Sequence, residues 1–180
     1  RWVRSALPCD LTPSFVSVQH IVTLLGASDL YCVSDGSHDP RTGRASHAWV
    51  MTNSAGLYRL QGAGPADCDP TLLSSYRPEL QGILANMIML TTLEQSYAAL
   101  SGCKVRLVCD NEAATKIVRS IVTSRQYFLD PQQTDVDILL EIQGEFLSSQ
   151  LLFDVIWIPS HQDKHAAVDS LPFLAQLNVD

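Results

Sequence analysis

The order of the apolar segments constrains the fold of this chain more than any other feature. Strand-like runs are predicted at about residues 30–35, 45–52, 57–61, 104–109 and 151–158. Turn-forming residues join the first three runs, which predicts an antiparallel meander. The later two runs alternate with helical segments, so their strands should pair in parallel with the first. The order therefore predicts an α/β fold: a five-stranded mixed sheet, made of the meander and two parallel strands, flanked by helices.

Helical periodicity is strongest after Ser74-Ser75, where apolar residues recur at helical spacing. This pattern predicts a helix from about residue 75 to residue 100 with Ser74-Ser75 as its N-cap, and weaker patterns predict helices at 111–124 and 135–149. Residues 1–27 contain Pro8 and Pro13 and are interpreted as an extended connector with a short helix between Ser14 and Leu25.

Length and composition indicate one domain at residues 28–180, preceded by that connector. The chain has 180 residues, of which 46% are hydrophobic and 17% charged, as in ordinary globular proteins. No apolar run approaches the roughly 20 residues that span a bilayer, so no membrane association is expected. The chain begins at Arg1 and is interpreted as part of a longer polypeptide. Its five cysteines form no CxxC pair, which favours a reducing, intracellular location.

The net charge of −7 and the pI near 5.0 exclude a free-standing, non-specific nucleic-acid binder. Such proteins contact phosphates through clustered Lys and Arg. The basic residues here are scattered, and Arg77, near Glu79, is the best candidate for a phosphate contact.

Three acidic residues lie at the ends of predicted elements. Asp35 follows the first strand, Glu79 lies in the first turn of the long helix, and Asp110 follows the fourth strand. Each has a structural explanation. Asp35 could form an Asx turn with Gly36, Glu79 could favour the positive helix N-terminus, and Asp110 could cap the next helix.

Taken together, the three positions favour a cation site. In a sheet where the first strand lies beside a parallel fourth strand, both strand ends and the helix start can meet at one point. Three carboxylates at that distance repel one another unless a cation lies between them, and hard oxygen ligands select Mg²⁺ or Mn²⁺. His161 follows the fifth strand and can approach the same edge to transfer a proton.

The order of these motifs resembles the ribonuclease H domains attached to reverse transcriptases of retrotransposons and retroviruses. The matching segments are Ser34-Asp35-Gly36-Ser37, Tyr76-Arg77-Pro78-Glu79-Leu80, Val108-Cys109-Asp110-Asn111 and Pro159-Ser160-His161. The resemblance covers about residues 28–180.

The resemblance implies a metal-dependent endonuclease that hydrolyses the RNA strand of an RNA–DNA hybrid, with two Mg²⁺ or Mn²⁺ ions. It also implies an upstream reverse transcriptase domain. By this resemblance Asp35, Glu79 and Asp110 are catalytic metal ligands and His161 is the mobile catalytic histidine. Ser37, Arg77 and Asn111 are the residues expected to contact the substrate.

The family has a fourth carboxylate on a helix that follows the histidine. The usual spacing places it at position 171, where this chain has Leu. Asp169 lies nearby, but Pro172 disfavours a helix there. The stretch from Leu174 to Asp180 is more typical of the entry to the last helix, which leaves Asp180, Asp169 or a residue beyond position 180 as the fourth ligand.

Two other functions are compatible with the same carboxylates. One is a catalytically inactive ribonuclease H-like scaffold or interaction module, which the acidic composition allows. The other is a polynucleotidyl transferase or exonuclease on the same fold.

Cysteine and zinc chemistry are not expected. No cysteine opens a helix beside a basic residue, and no Cys or His pair has zinc-ligand spacing. Strand alternation predicts that Cys32 and Cys109 point away from Asp35 and Asp110.

Overall fold

The computed structural model describes residues 15–56, 60–66 and 74–160. Its strands are β1 (Leu30–Asp39), β2 (Arg44–Thr52), β3 (Leu60–Pro65), β4 (Lys104–Cys109) and β5 (Leu152–Trp157). Its helices are α1 (Phe15–Gly26), α2 (Tyr76–Ser96), α3 (Glu112–Thr123) and α4 (Val136–Ser148), with a single 3-10 turn at Ala98–Leu100.

The five strands form one mixed sheet in the order β3-β2-β1-β4-β5. The β1–β2 and β2–β3 pairs are antiparallel, and the β1–β4 and β4–β5 pairs are parallel. Helix α2 packs on β1 and β2 and also contacts α4, while α3 packs on β4 and β5. The predicted fold class is therefore confirmed: an α/β arrangement with a five-stranded mixed sheet flanked by helices, consistent with a ribonuclease H-like fold.

The main core lies between the sheet and the helices. It contains inward-facing strand residues such as Cys32 and Leu107 and helix residues such as Leu84 and Met87, all essentially inaccessible to solvent. A second, small cluster of Val33, Val108 and Ile158 lies among the strands and contains no residue of the main core. Strand β1 therefore buries residues on both faces, as its continuous apolar run predicts.

Helix α1 confirms the short helix predicted between residues 14 and 25. Its Ile21 and Leu25 are fully buried in the main core. Because these side chains share the core with the sheet, this helix packs with the domain through Ile21 and Leu25. The segment 1–14 lies outside the described residues, and the domain boundary at residue 28 stays a prediction.

Several element boundaries differ from the sequence prediction. Strand β1 continues to Asp39, so Asp35 lies within the strand and not at its end. Strand β3 runs through Gly62 to Pro65, a stretch predicted as loop. Gly62 is needed there because a Cβ would lie 2.8 Å from the Trp49 ring. Strand β5 is at the edge of the sheet and only partly buried, with Leu152 and Trp157 exposed.

The start of α2 also differs in detail. Ser75 has α-helical dihedral angles and makes no capping hydrogen bond. Instead, the Ser74 hydroxyl accepts a hydrogen bond from the Tyr76 amide. Of the two predicted serines, Ser74 therefore supplies the side-chain acceptor at the start of the helix, which begins at Tyr76.

Within the ranges 15–56, 60–66 and 74–160, the structure contains no helix with the length and apolarity needed to cross a membrane.

Candidate metal centre

The site lies where the parallel pairing of β1 and β4 ends. The last paired residues are Ser34 on β1 and Cys109 on β4, and each is followed by an aspartate. Asp35 remains paired with Ala48 on β2, because the antiparallel ladder continues past this point. The two aspartates therefore lie at the same end of neighbouring strands, as predicted.

Two glycines bring the first turn of α2 against β1 at this end of the sheet. A Cβ on Gly36 would lie 2.5 Å from the Glu79 backbone nitrogen, and a Cβ on Gly82 would lie 2.9 Å from the Ser34 Cβ. Atoms do not approach this closely, so any larger residue would push the helix away from the strand. Gly36 is required for this close approach and not for the turn that the sequence predicts.

Glu79 is buried at this contact, with only 6% of its surface exposed. The Gly36 amide donates a hydrogen bond to its carboxyl group. Burial is the largest cause that raises the pKa of Glu79, and the negative charges of Asp110 and Asp35 raise it further, to about 8. Without a cation, Glu79 is therefore mostly protonated at neutral pH.

Three side chains form a compact group of possible metal ligands: Glu79, Cys109 and Asp110, whose donor atoms all lie within 4.8 Å of one another. Asp35 is half-buried and close enough for its charge to act on Glu79, but it lies outside this tight group. The structure thus brings Glu79 and Asp110 together as predicted, with Asp35 beside them.

The structure removes one alternative explanation of Asp110. The N-cap of α3 is Asn111, whose side-chain oxygen accepts a hydrogen bond of 3.0 Å from the Ala114 amide. Capping of this helix therefore does not explain the acid at position 110. The backbone carbonyl of Asp110 accepts a hydrogen bond of 2.9 Å from the Trp157 indole, which ties the end of β4 to the end of β5.

Cys109 is the site residue that the sequence prediction missed. Its Sγ lies 3.4 Å from Glu79 Oε2, so the prediction that Cys109 points away from the carboxylates is wrong. Alternation applies only within the strand. Because β4 ends at Cys109, Asp110 is beyond the pleat and its side chain can turn toward the same group. The signal that could have revealed this was the position of Cys109 as the last residue before the strand end.

Arg77, for which a phosphate contact is predicted, forms ion pairs with two carboxylates of the same chain. Its guanidinium pairs with Asp135 and Asp137 at the start of α4, each at 2.7 Å, and its side chain is only 11% exposed. This network joins the first turn of α2 to α4, 58 and 60 residues along the chain. It supports a structural role, and substrate contact by Arg77 stays a prediction.

The remaining predicted residues are divided between the surface and the part of the chain outside the described residues. Ser37 is exposed on β1 beyond Asp35, and the Asn111 side chain is engaged as the helix cap. His161, Asp169 and Asp180 lie outside the described residues, so the catalytic histidine and the fourth ligand stay predictions.

The donor set fits a divalent cation. Asp110 and Asp35 place negative charge around a buried carboxyl group, and a cation would relieve the repulsion that raises the pKa of Glu79. Carboxylate oxygens are the ligands that Mg²⁺ and Mn²⁺ prefer.

A scan against protein-family models finds no match to this chain, and a search of the curated proteins finds no relative.

Proposed function

We propose that this chain is a ribonuclease H-type domain that hydrolyses the RNA strand of RNA–DNA hybrids and depends on Mg²⁺ or Mn²⁺. The observation that carries the proposal is the grouping of Glu79 and Asp110, with Asp35 beside them, where the parallel strands β1 and β4 end. The order of the sheet and the order of the motifs along the chain support the same function.

Glu79 and Asp110 would hold the cation, and Asp35 would contribute its charge from the adjacent strand. A bound divalent cation would supply Lewis acidity, which activates a water and neutralises charge on the scissile phosphate. Glu79 must release its proton before it can act as a ligand, and because its pKa is raised, a nearby cation would favour this step at neutral pH. The Gly36 amide donates to its carboxyl group and would hold it at the strand ends.

A second cation requires further ligands. Asp180 or Asp169 is the proposed source, and His161 is the proposed proton carrier. We also propose that the domain acts beside an upstream reverse transcriptase domain inside the cell. The hybrid would be recognised by its shape and its 2′-hydroxyl groups, which distinguish RNA from DNA.

The test is cleavage of a hybrid labelled on its RNA strand, in the presence of Mg²⁺ or Mn²⁺. We expect internal cuts in the RNA, and a loss of about 100-fold or more in rate for Glu79→Gln or Asp110→Asn. The matched control is Glu141→Gln, which removes one negative charge from an exposed position on α4. This control should cut at the wild-type rate.

Three results would contradict the proposal. If the wild-type protein binds cations and cuts nothing, the domain is an inactive scaffold. Cleavage of DNA, or cleavage only from an end, would assign it to the transferases or exonucleases. Cleavage that persists in Asp110→Asn would show that the activity does not depend on this site.

A further inference from the structure

The Cys109 side chain is held from two sides. The Asn111 amide donates a hydrogen bond of 3.4 Å to the Cys109 sulfur, and the sulfur lies 3.4 Å from Glu79 Oε2. Cys109 is 1% exposed. Its thiol carries one hydrogen that it can donate.

The direction of that hydrogen follows from the contacts. The sulfur already accepts from the Asn111 amide, and Glu79 Oε2 on its other side accepts from the thiol, either as an ionised oxygen or as the carbonyl oxygen of the protonated carboxyl group. The S–H bond therefore points to Glu79. The Gly36 amide donates to the same carboxyl group, so donors from β1 and β4 fix the side chain of a residue on α2.

We infer that Cys109 is a positioning residue whose S–H group holds the Glu79 carboxyl group where a divalent cation would bind. This inference rests on the proposed function, because it concerns the same site. The thiol acts through Glu79 and need not touch the substrate. Residues that orient a metal ligand in this way typically change metal affinity by 10- to 100-fold when they are removed.

Two measurements test the inference, and Cys32→Ala is the control for both. Cys32 is fully buried in the main core and faces Leu107 across the ladder, so its truncation creates a comparable cavity away from Glu79. The first measurement is the infrared S–H stretch of the metal-free protein, with bands assigned by the two Cys→Ala variants. The Cys109 band should lie at lower frequency than the Cys32 band and should move to higher frequency in Glu79→Leu.

The second measurement is Mn²⁺ affinity of the folded protein. Cys109→Ala should bind about 10-fold more weakly, while Cys109→Ser, which keeps a donor, should recover most of the affinity. Cys32→Ala should lose stability without losing affinity.

The outcomes separate this inference from the proposed function. A Cys109 band that does not respond to Glu79→Leu, or equal Mn²⁺ affinities for Cys109→Ala and Cys32→Ala, overturns the positioning role alone. A wild-type protein that binds Mn²⁺ and does not cut the hybrid overturns the proposed function alone. A wild-type protein that binds no Mn²⁺ overturns both.

Discussion

Glu79→Gln should make the metal-free protein more stable, and the gain should grow with pH. Glu79 has a pKa raised from 4.5 to about 8 in the folded protein. In this window the folded state binds more protons than the unfolded chain, so wild-type stability falls as pH rises from 4.5 toward 8. A neutral glutamine does not titrate, and this part of the pH dependence should disappear.

The size of the effect follows from the pKa shift. Ionisation of Glu79 in the unfolded chain lowers the free energy of unfolding by about 1 kcal/mol at pH 5 and by about 3 kcal/mol at pH 7. The substitution removes this loss of stability. For a domain of this size, about 3 kcal/mol corresponds to a rise in Tm of roughly 6–12 °C. Urea unfolding in EDTA at several pH values between 5 and 8 measures it directly.

Cations should reverse the order of the two proteins. At pH 7, Mg²⁺ or Mn²⁺ at about 1,000 times its Kd should stabilise the wild type by about 4.1 kcal/mol, which exceeds its deficit of about 3 kcal/mol, and should leave Glu79→Gln nearly unchanged. The control is again Glu141→Gln, for which the difference from wild type should not depend on pH. A stability difference between Glu79→Gln and wild type that stays constant from pH 5 to pH 8 would refute the assignment of a protonated, buried Glu79.

Three further predictions concern the surroundings of the site. Gly36→Ala should destabilise the protein by about 1–3 kcal/mol and weaken Mn²⁺ binding, because its Cβ would overlap the Glu79 amide. The control is Gly144→Ala, which has open space around it and should be neutral or stabilising by up to about 1 kcal/mol. Equal effects of the two substitutions on Mn²⁺ affinity would contradict the close approach. His47 is buried and its pKa is lowered from 6.5 to about 4, so the unfolded chain binds its proton first and stability should fall by about 2 kcal/mol between pH 8 and pH 5. His47→Leu should remove this loss, as measured by urea unfolding. A loss of stability toward pH 5 that is equal in His47→Leu and the wild type would refute the prediction. Arg77→Met should lower the free energy of unfolding by about 3 kcal/mol, because it removes the ion-pair partner of the buried Asp135 carboxylate. It should leave the affinity of the folded protein for the hybrid unchanged. A tenfold weaker affinity in a binding assay would instead support a phosphate contact.

The alternation of segments predicted the architecture because each strand and helix carries its own apolar pattern. Strand β4 and helix α3 were placed to within a residue or two, since Val105 and Leu107 alternate and the helical pattern opens directly after the strand. Asp35 and Asp110 could be placed at the same end of the sheet in advance because sheet order determines which strand ends meet.

Other features depend on contacts between distant residues, which local patterns do not show. The sequence favours a turn at Gly36 and a loop from Gly62, but Gly36 makes room for helix α2 and Gly62 makes room for the Trp49 ring on the neighbouring strand. The partners of Arg77 lie 58 and 60 residues away, and Cys109 enters the site because its strand stops there.

The glycine contacts between β1 and α2 also determine how this site must be studied. An alanine scan removes atoms and detects residues by what they contribute, but Gly36 and Gly82 act by leaving space. Alanine at these positions adds an atom, and the resulting loss of activity would be counted as a folding defect. The informative experiment is a series of additions, glycine to alanine to serine, in which the cation affinity of the folded fraction is followed separately from the amount of folded protein.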